Sequence, residues 1–136
     1  MKREKFILRR IVAGFIDYSM VFTLVFIYVS IFGEMNDDGT KSVQGIKILP
    51  AYIFWLLYIC VVEYTLGSTF GNFIVRLKPV DSETEKEITF KQSLLRHIVD
   101  PIDMFFFGLV GIILIKNSNS NQRLGDILAK TIVVRI

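Results

Sequence analysis

Asp17 and Asp103 stand where carboxylates are energetically expensive. Asp17 interrupts the apolar run from Ile11 to Phe32, IVAGFIDYSMVFTLVFIYVSIF, and Asp103 interrupts Ile98 to Ile115, IVDPIDMFFFGLVGIILI. An unpaired acid at bilayer depth costs at least ~2.5 kcal/mol near the centre of a span, so such acids line a bundle interior, where they bind a cation, exchange a proton or fix helix pairing. Compensation has to come from another charge. Arg10 precedes Asp17 by seven positions, about two helical turns, so both side chains point nearly the same way, but ~10 Å of helix is too long for one side chain to bridge. A partner from elsewhere in the chain is expected for Asp17: Arg96, Arg123 or the broken backbone near Pro101.

Arg96, Asp100 and Asp103 are spaced i, i+4 and i+7 and share one helical face. Arg96 with Asp100 reads as an ordinary ion pair on a helix surface or as part of a polar site. Arg123 and Asp126 are i, i+3 on a short helix near the C-terminus. Glu63, close to the end of an apolar run, is expected to be half solvated and structural or interfacial. Solitary His97 has no partners at ligand spacing, so no metal site is expected and an interfacial histidine is the default. Ser68, Thr69 and Ser93 have no base arranged beside them, and no phosphate-cradling glycine loop is present. No catalytic residues, enzymatic activity or cofactor are expected.

The elements that must position these residues are membrane segments. The 136-residue chain is 52% hydrophobic and 21% charged, more apolar surface than one small soluble domain could bury. Nothing divides it, so residues 1–136 read as one domain. The predicted fold class is all-α: an integral membrane helical bundle of three apolar segments, about residues 11–32, 48–66 and 98–115, with interfacial amphipathic helices. The first is too long for a signal peptide and interrupted by Asp17. The second begins with Pro50 in its first turn and carries Trp55 and Cys60, the latter a small apolar core residue. The third is about the minimum for a span, and Asp100, Pro101, Gly108 and Gly111 leave a tilted span, a broken helix and a re-entrant hairpin open. Phe105-Phe106-Phe107 reads as lipid-facing or packing surface.

Between the second and third segments, Phe73 to Lys78 and Glu87 to Phe90 flank a polar stretch, which predicts a hairpin or an interfacial turn. Phe90, Leu94, Leu95, Ile98 and Val99 then recur at helical spacing, predicting an amphipathic helix on the inner leaflet. Gly67 to Gly71 reads as a turn at the membrane surface. In the tail, Leu124, Ile127 and Leu128 should dip into the membrane or pack on the bundle, and Ile132 to Val134 read as an extended end.

Basic residues set the expected orientation. Lys2, Arg3, Lys5, Arg9 and Arg10 precede the first segment, and Arg76, Lys78, Lys86, Lys91 and Arg96 lie in the second loop, against only Lys41 and Lys47 in the first. A multi-pass cell-membrane protein with a cytoplasmic N-terminus follows. A third full crossing would put the basic tail outside, which favours a segment that enters and turns back. The net charge is +3, but the basic residues flank apolar segments and the aromatics lie inside them, a placement that excludes a nucleic-acid binder. The expected partners are the lipid bilayer and a second copy of the chain or another membrane protein, since three segments enclose few polar groups alone.

The residues also resemble a known family. Arg10 to Asp17 is similar to the arginine at the mouth of the first helix, alanine three later and aspartate seven later of the RDD family of small bacterial membrane proteins. Gly67-Ser68-Thr69-Phe70-Gly71 is similar to its Gly-x-Thr-x-Gly, and Gln122-Arg123-Leu124-Gly125-Asp126 to its Gln-Arg-Leu-x-Asp. The resemblance covers nearly the whole chain, with departures at Asn72 and Val75, where relatives often carry lysine and glycine. It implies a polytopic helical membrane domain in which Arg10, Asp17 and Asp126 are the name-giving residues. It leaves the role open, with solute or ion transport suggested for some members.

The leading expectation is transport or sensing of a small ion or solute through a site formed by Arg10, Asp17, Asp103, Arg123 and Asp126, with Glu63, Arg96 and Asp100 as secondary polar candidates. The alternative is a non-transporting membrane adaptor or regulator whose buried ion pairs are structural.

Overall fold

The computed structural model describes residues 6–103 and 105–136, with the backbone alone at 105–107. The side chains of Phe105, Phe106 and Phe107 and the N-terminal Lys2, Arg3 and Lys5 lie outside the described residues. The apolar run that opens the described chain forms α1, Ile7–Phe32, 26 residues or ~39 Å long. Its end at Gly33, whose N–H reaches Val29 O, leads into a short hairpin of β1, Glu34–Met35, and β2, Lys41–Ser42. A turn of 3₁₀ helix, Gly45–Ile48, precedes α2, Leu49–Leu66, with Pro50 in its first turn. Gly67 stops α2 at φ +72°, a conformation that favours glycine.

Thr69 caps α3, Phe70–Ile74. A strand follows, β3, Leu77–Asp81, and then α4, Phe90–Ile98, which opens on a capping box between Thr89 and Gln92. The third apolar segment is broken. Asp100–Asp103 form α5 and Phe105–Asn117 form α6, within which Gly108 has φ +85°. The 13 residues of α6 extend ~20 Å, short of a ~30 Å hydrocarbon core. A Cβ on Gly111 would stand 3.2 Å from the Asp103 carbonyl oxygen, so α6 lies back against α5. The tail forms α7, Leu124–Leu128, and β4, Thr131–Arg135.

The second-loop hairpin expected from Phe73 to Lys78 and Glu87 to Phe90 is replaced by a longer-range pairing. β3 runs antiparallel to β4, Leu77 opposite Arg135 and Asp81 opposite Thr131, and only an isolated bridge joins Val80 to Glu87. The extended tail supplies five consecutive partners to β3, whereas residues 81–86 turn tightly, with Asp81 and Lys86 sharing a backbone hydrogen bond. This pairing, with a bond from Arg10 to Asp126, gathers the tail and second loop at the N-terminal end of α1.

Burial in this molecule is inverted. In the most apolar stretch of α1 no residue is buried, and Phe15, Phe22, Phe26, Ile31 and many other large apolar side chains are exposed. The buried set includes Glu63, Arg96, His97, Asp100, Asp103 and Asp126. A compact apolar cluster of Trp55, Ile59 and Cys60 joins α2 to Val21 and Leu94. α4 is amphipathic as expected but oriented the other way: Ser93, Arg96 and His97 face the interior, while Phe90 and Ile98 are exposed. In water this would leave apolar area uncovered and charges desolvated together. In hydrocarbon the outward apolar surface costs nothing and the buried charged groups of the network pair with one another.

Candidate functional site

The inward residues of α2, α4, α5 and α7 make one continuous charge network. α2 brings Glu63, whose carboxylate accepts from Ser93 Oγ at 2.6 Å and Arg96 Nε at 3.2 and 3.3 Å, with His97 Nε2 3.1 Å away. Arg96 reaches from α4 to Asp126 Oδ1 on α7 and donates to Thr131 Oγ1 at 2.9 Å. The other oxygen of Asp126 accepts from Arg10 Nη1 at 3.1 Å. On the opposite side His97 Nδ1 sits 2.6 Å from Asp100, and Arg123 reaches Asp100 at 2.9 Å, Asp126 at 3.8 Å and Asp103 at 4.0 Å. Asp103 accepts from the backbone N–H groups of Leu124 and Gly125 at 3.1 and 3.0 Å, which ties α5 to the start of α7.

The charges balance. Arg10, Arg96, Arg123 and a protonated His97 give four positive charges, against four negative ones on Glu63, Asp100, Asp103 and Asp126. Burial alone would keep His97 neutral, but Glu63 and Asp100 outweigh it and raise its pKa from 6.5 to about 9. Burial likewise opposes charge on Asp126, and Arg96, Arg10 and Arg123 together hold its carboxyl below the usual carboxylate range.

A pH dependence follows from His97. Its folded pKa lies above its unfolded one, so the stabilisation is fully present below about 6.5 and is lost as the pH rises through about 9. Thermal unfolding in detergent should show a midpoint that falls across this window, whereas His97→Gln should flatten that part of the profile.

Asp17 stands apart from the network. Its partner comes from another part of the chain, as expected, but it is neither Arg96, Arg123 nor the backbone near Pro101. Thr69 Oγ1 donates to Oδ2 and the Gly71 N–H to Oδ1, each at 2.7 Å. The segment expected as a surface turn is therefore the cradle of Asp17, because α3 packs along α1 closely enough for Gly71 to lie against the Ala13 backbone. Replacing Thr69 by valine should lower stability by about 1 kcal/mol, measurable by denaturant unfolding, since it leaves one carboxylate oxygen without its donor.

Three further expectations are corrected. Glu63 is fully buried rather than half solvated, because α4 lays Ser93, Arg96 and His97 over it. His97 is buried between two carboxylates instead of lying at an interface. Arg96 and Asp100 do not pair on a helix surface: α4 ends at Ile98, and the break turns Asp100 toward His97 and Arg123 while Arg96 takes Glu63 and Asp126. The structure thus joins Arg10, Arg123, Asp103 and Asp126 with all three secondary candidates, and excludes Asp17 from their contacts.

Sequence reasoning missed Ser93, Thr131, Gly71 and Gly125. Ser93, Arg96 and His97 share a face at i, i+3 and i+4, a signal that reads as buried once the flanking segments are taken as facing lipid. Among the described residues no group of three or more His, Cys, Asp or Glu is placed to hold a metal.

A family model described as RDD family matches residues 6–130. Neither a curated protein nor a solved structure matches the chain. The matched span contains the arginine, the two aspartates and the Gly-x-Thr-x-Gly turn whose contacts are described above. The apolar exterior, the polar interior and this match lead to one conclusion: the chain belongs to the RDD family, a family of helical membrane domains.

Proposed function

We propose that this chain is a non-transporting membrane module, an adaptor or regulator of another membrane protein, in which the buried Arg/Asp network is structural. The closure of the network carries this reading. Each of its charges meets an opposite one within 4.0 Å, the four positive and four negative groups cancel, and every carboxylate in it is at most 4% exposed. An ion passing through would have to break pairs whose loss exposes unmatched charge to a low dielectric. Proteoliposomes should accordingly show no proton, sodium or potassium flux above protein-free vesicles, and a defined membrane protein should co-purify in mild detergent. Flux through the unaltered protein above that of protein-free vesicles would reject this reading.

Passage of a small ion or solute is the second reading, favoured by one observation: among the described residues Asp17 has only neutral hydrogen-bond donors, and it lines a small cavity between α1 and α2. The same flux assay with Asp17→Asn decides between the two.

We also infer that the N-terminus, second loop and tail share the cytoplasmic side, with α5 and α6 entering the membrane and turning back. The β3–β4 pairing, the Arg10–Asp126 bond and the basic residues of all three regions support this. Single cysteines at Lys86 and Arg135, in a Cys60→Ala background, should both resist a membrane-impermeant thiol reagent in intact cells and react in inverted vesicles. Labelling of the Arg135 position from outside would overturn this topology.

A further inference from the structure

The gap between α1 and α2 contains a feature that the charge network does not use. A half-open cavity of about 450 Å³ runs along it, lined by apolar and aromatic side chains including Val25, Ile31, Phe32 and Phe54, all of them exposed on the outer face of the helices. Val21, Leu24 and Trp55 line this cavity and also a smaller one of about 20 Å³, so the two adjoin. Asp17 lines the smaller one, together with the aromatic residues Trp55, Tyr58 and Phe70. The inner end of a long apolar cavity is thus marked by a carboxylate with two neutral donors and no cationic partner among the described residues. Each oxygen of that carboxylate keeps a further lone pair, and the nearby aromatic faces favour a positive charge over a negative one.

We propose that this gap is a binding site for a lipophilic ammonium compound, its cationic head paired with Asp17 and its hydrocarbon body lying in the cavity between α1 and α2. Charge complementarity selects the occupant: a lipid acyl chain fills only the apolar part, and an inorganic cation gains nothing from the long apolar wall. The inference goes beyond the adaptor reading and rests on none of the residues that carry it.

Trp55 is the single tryptophan of the chain and lines both cavities, so its fluorescence reports occupancy. The protein in nanodiscs of zwitterionic lipid would be titrated with 8-bromooctylammonium, 8-bromooctanol and 8-bromooctanoate, whose bromine quenches tryptophan on contact. Saturable quenching is expected for the ammonium, at about tenfold lower concentration than for the alcohol or the carboxylate. Asp17→Asn should remove that preference. Leu24→Phe, which leaves the Thr69 and Gly71 bonds untouched, should remove the ammonium preference by filling the space of about 20 Å³ beside Asp17, with circular dichroism and the Trp55 emission maximum confirming the fold. Equal, non-saturating quenching by all three probes, or an ammonium preference that survives in Leu24→Phe, would overturn the proposal.

Discussion

Asp126→Asn is expected to strip folded protein from the membrane fraction more completely than any other single charge removal in the chain. Asp126 is fully buried and pairs with Arg10 and Arg96, with Arg123 3.8 Å away. Asparagine retains the shape and an acceptor oxygen but not the charge. The network then holds four positive groups against three negative ones in surroundings that solvate none of them. Breaking one side of a buried pair costs about 3–5 kcal/mol, on the order of 10²- to 10⁴-fold in the ratio of folded to unfolded protein. The measurement is unfolding in mixed micelles, with folded yield after detergent extraction as a second readout. Glu87→Gln is the matched control, because Glu87 is an exposed partner of Lys78 and its loss should leave the midpoint unchanged. Equal midpoints for the two variants would show that the buried pairs contribute nothing to folding.

Alanine at Gly71 or Gly125 comes next in expected effect, through sterics instead of charge. A Cβ at Gly71 would stand 2.1 Å from the Ala13 carbonyl oxygen, and one at Gly125 would stand 2.2 Å from that of Arg96. Both obstacles are backbone atoms, which cannot rotate aside as a flexible side-chain end would. In Gly71→Ala, α3 has to move off α1, which pulls the Gly71 N–H away from Asp17. In Gly125→Ala, α7 has to move off α4, which separates Arg96 from Asp126. Overpacking a tight contact costs about 1–3 kcal/mol, and each substitution breaks a buried polar contact as well. Gly14→Ala provides the comparison within α1: nothing lies within 4 Å of its Cβ position, and an alanine there should be neutral or stabilising by up to about 1 kcal/mol. If Gly71→Ala and Gly14→Ala unfold alike, the close approach of α3 to α1 is not a feature of the folded protein.

The two glycines and the charge network are parts of one construction. Glycine permits backbone to meet backbone, and that proximity lets a short side chain such as Asp17 or Asp126 reach donors on another element. The RDD residues therefore divide into two sets. Arg10 and Asp126 bond directly, whereas Asp17 bonds to the Gly-x-Thr-x-Gly turn. A family name that groups them as one arginine and two aspartates conceals two separate contacts about two turns apart along α1.

The apolar segments were legible in the residues alone. Long runs of Ile, Val, Leu and Phe force a helix in lipid because no water is present to satisfy an open backbone, so α1 and α2 follow from composition and length. The weakness of the third segment was legible too, since Pro101 removes a backbone donor and Gly108 and Gly111 disfavour a helix, but this left a tilted span, a broken helix and a re-entrant hairpin equally open. The sequence likewise required that acids placed in such segments find partners.

Which partners they find was decided by tertiary structure. The pairings of Asp17 with Thr69, Arg96 with Glu63 and Asp126, and β3 with β4 join residues separated by 30 or more positions. Local periodicity carries no information about such distances. It placed Arg96 beside Asp100 because a continued helix would have done so, and it left Glu63 and His97 at an interface because each was read alone. Only the folding of α4 across the end of α2 turns the polar face inward, since in hydrocarbon the interior is the one place where charged groups can satisfy one another.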